Sequence, residues 1–118
     1  MLNFNTSHRI FLAKAATDMR KSFDTLAIMV REQLGEDPLS GDVFVFVGRS
    51  MDRVKVLVWD VSGYWLCAKR LEQGRFGVAG HLGDRSTKGR RQLSAAELHA
   101  LLEGITIHSA SYKKHYSR

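Results

Sequence analysis

Cysteine is almost absent from this chain. The 118 residues include one, Cys67, so no intramolecular disulfide can form and no Cys-x-x-Cys metal site exists. Cys67 lies in an apolar, strand-like run, where a buried, reduced thiol is expected. Proline occurs once, at Pro38, inside a Ser- and Gly-containing stretch that reads as a loop. Long apolar runs are missing too. None approaches the ~20 residues that span a bilayer, so no membrane partner is expected. The N-terminal MLNFNTSHRIF lacks the basic-then-apolar order of a signal peptide, and a reducing, cytoplasmic setting is the expectation. The sequence also has no GxSxG elbow, HExxH pair or GxxxxGK[ST] phosphate loop.

Acidic residues are in deficit. Eighteen Lys and Arg face twelve Asp and Glu, for a net charge of +6. The excess is uneven: residues 1–42 carry −1, residues 43–80 carry +3 and residues 81–118 carry +4. A lopsided cation excess on a small domain fits an anionic partner such as nucleic acid, and it equally fits a solvated surface. The length allows one domain with its own core. Residues 1–107 read as that domain and 108–118 as a polar, basic tail.

The apolar pattern gives an α+β fold, a small antiparallel sheet of four or five strands in a meander packed against two helices. A short strand around Ile10–Ala13 precedes a helix over 18–34, capped by Thr17 or Asp18, with Met19, Phe23, Leu26, Ala27, Val30 and Leu34 forming one stripe. Gly35 stops it. Val43–Val47, VFVFV, is a strand covered on both faces. Strands at Val54–Trp59, Tyr64–Leu71 and Arg75–Val78 follow, with short turns between them. Residues 79–92, AGHLGDRSTKGRRQ, read as a basic loop. Ser94 and Glu97 form a capping-box pattern that opens a last helix over 94–103.

A hairpin turn centred on Ser62 places Val54, Val56 and Val58 on a core face with Leu66 and Ala68. The opposite face then pairs Lys55 with Lys69 and Trp59 with Trp65. A one-residue slip pairs Lys55 with Arg70, so a basic pair persists. Arg49, Arg53, Lys55, Lys69, Arg70 and Arg75, with Arg85, Lys88, Arg90 and Arg91 of the basic loop, are the candidate phosphate-binding residues. Trp59 and Trp65 are candidates for stacking on bases, or for the core. Catalytic and metal candidates are weak. Asp18, Asp24, Asp60 and Glu103 have no spacing that demands a metal, and His99 with Glu103 lacks a third ligand. No catalytic residue, metal or cofactor is expected.

Several linked stretches then resemble a known family. They are Thr17-Asp18-Met19-Arg20-Lys21-Ser22-Phe23-Asp24-Thr25-Leu26, Asp37-Pro38-Leu39-Ser40-Gly41, VFVFVGRSMDRVKVLVWD at 43–60, and Ala68-Lys69-Arg70-Leu71-Glu72-Gln73-Gly74-Arg75-Phe76. In this order the chain resembles the TnpB-like accessory protein of the insertion sequence 66 family of bacterial mobile elements. The resemblance implies a non-catalytic factor that assists DNA transposition beside a separate transposase. Two mechanisms are open: the basic face binds element DNA, or the protein is purely an interaction module. In the second, Arg20 and Lys21 among the motif residues contact the transposase. A small nuclease is a third reading.

Overall fold

The computed structural model describes residues 8–77 and 89–104. Among them are β1 (Ile10–Ala13), α1 (Phe23–Glu32), β2 (Val43–Val47), β3 (Arg53–Asp60), β4 (Gly63–Arg70), β5 (Arg90–Leu93) and α2 (Ala95–Leu102). The five strands make one sheet in the order β4-β3-β2-β1-β5. The fold is α+β, with a mixed, mostly antiparallel sheet. The meander holds for β2-β3-β4, whereas β1 and β2 run parallel, joined through α1. No described helix is long and apolar enough to cross a membrane.

The two faces of the sheet build two separate cores. Phe11, Ala13, Phe44, Phe46 and Leu57 pack against Leu26, Ala27, Met29 and Val30 of α1. Ile10, Leu12, Val43, Val45, Val47, Val54, Val56 and Val58 pack against Leu98, Ala100 and Leu101 of α2. Every residue of VFVFV is buried, as its unbroken apolar run requires. Phe76 is buried in the α2-side core and carries no strand. The strand expected at Arg75–Val78 is therefore absent from its described residues, with Val78 outside them. The basic loop expected over 79–92 instead ends in strand β5. Its residues from Arg90 pair antiparallel with β1, register Ile10 with Leu93 and Ala13 with Arg90. The expected tail, 108–118, lies outside the described residues.

Helix α1 starts later than the apolar stripe predicts. Ser22 is its N-cap, not Thr17 or Asp18. Thr17 forms a parallel bridge to Gly48, and Asp18 accepts from the Arg20 amide at 2.9 Å, so both are held in an extended segment and a turn. Phe23 is 43% exposed, although the stripe placed it inside. Gly35 does end the helix, with φ +68 and Glu36 N–H donating to Val30 O at 3.1 Å. Helix α2 opens on the expected capping box, Ser94 accepting from Glu97 N at 3.0 Å and Glu97 Oε1 from Ser94 N at 2.8 Å.

The β3–β4 hairpin is one residue out of the expected register. Asp60 opposes Gly63, leaving the two-residue turn Val61-Ser62. Val61 takes φ +52, a left-handed conformation that a β-branched residue resists. The slip moves every β4 side chain to the other face. Lys55 opposes Ala68 rather than Lys69 or Arg70, and the basic pair is Arg53 with Arg70. Trp59 opposes Tyr64, not Trp65. Leu66 packs toward the α1 side, so it does not share the face of Val54, Val56 and Val58. Cys67 opposes Val56 on the α2 side at the outer strand and is exposed rather than buried.

At the start of β1 the Asp42 carboxylate accepts from the Arg9 amide at 3.0 Å and from the Arg9 guanidinium at 2.8 Å. Burial pushes this carboxyl up. The Arg9 hydrogen bonds and charge, with Ser40, outweigh that and hold it below its ordinary value. A depressed carboxyl contributes stability above its unfolded pKa of about 3.9, lost as pH falls through the folded value. Asp42→Asn should cost about 2 kcal/mol in urea melts at pH 7, with the difference shrinking as the pH drops below the unfolded pKa of about 3.9. Val61→Gly should raise the melting free energy by about 1 kcal/mol by relieving the left-handed turn.

Candidate functional site

Parallel pairing of β1 with β2 sets the site. The two strands end at the same edge of the sheet, so the segments that follow them, residues 14–21 and 48–52, lie side by side. Thr17 N–H donates to Val47 O at 3.0 Å and continues the ladder past both strands. Met19 folds back over Gly48, where an added Cβ would come within 2.7 Å of Met19 Cγ. The residue at 48 therefore has to be small for the two segments to close. Met51, in the β2–β3 turn, holds φ +66.

Between these segments runs a groove of about 860 Å³, lined by Thr17, Asp18, Arg20, Lys21, Arg49 and Arg53 among others. A second groove of about 470 Å³ shares Met19 and Arg53 with it and continues over Lys55, Ala68 and Arg70 to Glu72. Together they form one cationic cleft from the end of β1 to the end of β4. Lys55 Nζ donates to Lys21 O at 2.7 Å, tying β3 to the 14–21 segment. The cleft also contains carboxylates. Arg20 grips Asp18 through Nη2 to Oδ2 at 2.8 Å and Nε to Oδ1 at 3.1 Å, and these bonds hold Asp18 well below the usual carboxylate range. The Ser50 hydroxyl donates to Asp52 and lowers it too. Arg70 pairs with Glu72 at 3.2 Å. Six cations, Arg20, Lys21, Arg49, Arg53, Lys55 and Arg70, with Lys69 as a seventh at the margin, thus face three carboxylates.

The fold divides the expected phosphate-binding residues. Arg49, Arg53, Lys55 and Arg70 come together, and Arg20 and Lys21, expected to meet a partner protein, join the same cleft. Lys69 borders it, but its ammonium donates to Leu102 O at the end of α2, 2.6 Å away. Arg90 pairs with Glu36 at 2.7 Å and lies 5.2 Å over the Phe11 ring, and Arg91 pairs with Glu97 at 3.1 Å. Both are structural cations. Arg75 is exposed in the segment after β4. Arg85 and Lys88 lie outside the described residues.

Neither tryptophan lines the cleft. Trp59 packs edge-on against Tyr64 with centroids 5.1 Å apart. Trp65, 52% exposed, is on the α2 side and donates from Nε1 to Asp60 at 3.0 Å. Among the described residues no three His, Cys, Asp or Glu gather as a metal site, so Asp18, Asp24, Asp60, His99 and Glu103 form none. The residues missed from the sequence are Met19, Asp18 and Asp52 as walls of a cleft, and Gly48 as the residue Met19 closes over. Their signal is the pairing of two distant loops, which no local spacing carries.

A family model described as "IS66 Orf2 like protein" matches residues 8–112. An uncharacterized protein, y4hO, of Sinorhizobium fredii (strain NBRC 101917 / NGR234) is 40% identical over 105 residues, covering 89% of this chain and 87% of that one. A second uncharacterized protein of the same strain, y4jC, is 40% identical over 68 residues, 58% of each chain. No solved structure matches. The close approach of Met19 to Gly48 sets its own test. Gly48→Val should cost about 1–3 kcal/mol in denaturant melts and speed proteolysis within residues 14–21, while Gly63→Ala, with open space around it, should do neither.

Proposed function

Because the chain belongs to the IS66 Orf2-like family, accessory proteins of IS66 transposition, we propose that its cationic cleft holds element DNA by the phosphate backbone while transposase works beside it. The supporting observation is convergence. Arg20 and Lys21 follow β1, Arg49 follows β2, Arg53 and Lys55 begin β3, Arg70 ends β4, and the fold gathers all six along one cleft. Cations drawn from four segments onto one surface match a polyanion better than a small anion. Arg20 is held in place by Asp18 through Nε and Nη2, and its side chain is 92% exposed, which leaves Nη1 to donate to a phosphate oxygen.

Contacts of this kind fix position without reading bases. The reading is therefore a largely sequence-independent grip, with specificity supplied by the transposase. No catalytic activity is known for the family, and the cleft is assigned no bond-breaking role. Trp59 and Trp65 are left out of the interface because both lie away from the cleft.

One observation favours a second reading, a protein surface of the transposase as the occupant. Asp18 and Asp52 stay ionised inside the cleft, where a phosphate backbone would meet them as repulsive neighbours and a mixed-charge protein surface would not. Salt titration separates the two. With about five phosphates contacted, the slope of log K against log salt should be about −4.5. Replacing Arg53 and Lys55 together by Ala should reduce the slope by about 2, whereas Arg91→Ala, its guanidinium paired with Glu97 and absent from both grooves, should leave the slope unchanged. No binding to duplex or single-stranded DNA at low salt, with transposase capture lost in the Arg53/Lys55 variant, would replace the DNA reading with the protein one.

A further inference from the structure

Among the described residues, no strand pairs with the outer edge of β4. Strand β4 closes one side of the sheet with eight residues, against four in β5 on the other side. Its pairing with β3 runs from Arg53–Arg70 to Asp60–Gly63 without a bulge. The hairpin closes at Gly63, and Leu71 N–H donates to Asp52 O at 2.8 Å, so the odd-numbered residues bond to β3. By antiparallel alternation Tyr64, Leu66, Ala68 and Arg70 turn their N–H and C=O groups away from the sheet. Cys67, Ala68, Lys69 and Arg70 are all exposed. Long, straight, unbulged edges normally acquire a partner or a block.

We propose that β4 pairs antiparallel with β4 of a second copy of this chain, the two-fold axis passing at Cys67, to give one sheet continuous across two molecules. The sequence of the strand, GYWLCAKR, is complementary to itself in that register, which sets both of its cations opposite aromatic residues. Trp65 falls opposite Lys69 of the other copy, Tyr64 opposite Arg70, Leu66 opposite Ala68, and Cys67 opposite Cys67. Each cation of the strand meets an aromatic ring, and the Trp65 ring on the α2 side is half-exposed and open to such a contact. Parallel pairing in register would set Lys69 on Lys69 and Arg70 on Arg70, which like-charge repulsion disfavours. Because the odd-numbered residues bond to β3, the two Cys67 residues form a non-hydrogen-bonded pair. That geometry brings their Cα atoms to about 4.5 Å, within reach of a disulfide.

The test uses the full chain without DNA, so it stands apart from the phosphate-binding reading. Sedimentation under reducing conditions should show a reversible monomer–dimer equilibrium. Ala68→Pro removes one outward N–H and no buried side chain, and Trp65→Lys sets two ammonium groups opposite each other. Each should weaken the dimer about tenfold or more, with thermal melts reporting that the monomer remains folded. Adding Lys69→Glu to Trp65→Lys should restore the dimer, a rescue that mere misfolding does not give. Copper–phenanthroline, taking two electrons and leaving two thiol protons to solvent, should link Cys67 to Cys67 in the dimer and not in Ala68→Pro. A chain that stays monomeric at every concentration overturns the proposal. So does a dimer that survives both substitutions, or one whose Cys67 residues do not cross-link.

Discussion

Burial of β1 and β2 on both faces is the constraint on which the rest of this structure depends. A strand reading VFVFV has no polar side to offer water, so each face must be covered by a helix. Burying each Phe or Val side chain contributes about 1.5–3 kcal/mol, and the five residues of β2 alone make an uncovered face untenable. The chain meets the demand by running α1 between β1 and β2 and placing α2 after β5 on the opposite face. The first choice has a topological consequence. A helix-sized crossover allows the two strands to be parallel, and parallel strands end at the same edge. The cleft between residues 14–21 and 48–53 follows directly from covering VFVFV.

The opposite edge of the same strands shows how the charge is divided. Arg9 and Arg90 lie on the Phe11 ring at 5.1 and 5.2 Å, and both reach Glu36, which is largely buried. Asp42 completes the group by binding Arg9. These ion pairs hold the end of α1 against β1 and β5, since Arg90 also donates to Leu34 O at 3.2 Å. Two of the basic residues therefore belong to the scaffold. A net charge of +6 is a poor guide to where a polyanion would sit until such residues are subtracted.

Much of the fold was legible because it is local. The apolar stripe of α1, the Gly35 stop, the capping box of α2 and the alternation of β3 are each written within a few residues. What was not legible is nonlocal or finely balanced. Strand β5 consists of Arg90, Arg91, Gln92 and Leu93, a polar composition that forms a strand only because β1 offers an edge. The hairpin register turned on whether Val61 would accept a left-handed backbone, and it does because the alternative takes Tyr64 and Leu66 off the α1-side core. That single residue of slip moved Lys69, Cys67 and Trp65 off the face of Lys55 and brought Arg70 onto it. Arg20 and Lys21 were read apart from Arg49 and Arg53 for the same reason. Only a parallel β1–β2 pair brings them together.

The chemistry of the cleft also decides which variable would govern it. Its cations are arginines and lysines, and no histidine lines either groove. Two of its acids, Asp18 and Asp52, are held below the usual carboxylate range. Asp18 is held down by the Arg20 fork and Asp52 by the Ser50 hydroxyl, so both are ionised well into acid. The charge of these two aspartates is consequently constant across neutral pH. On the proposed DNA reading, ionic strength would govern the cleft, because attraction for a polyanion is screened over about 8–10 Å at cellular salt. A grip of that kind, weakened by salt, would suit a factor held to a charged partner by many weak contacts and released as a unit.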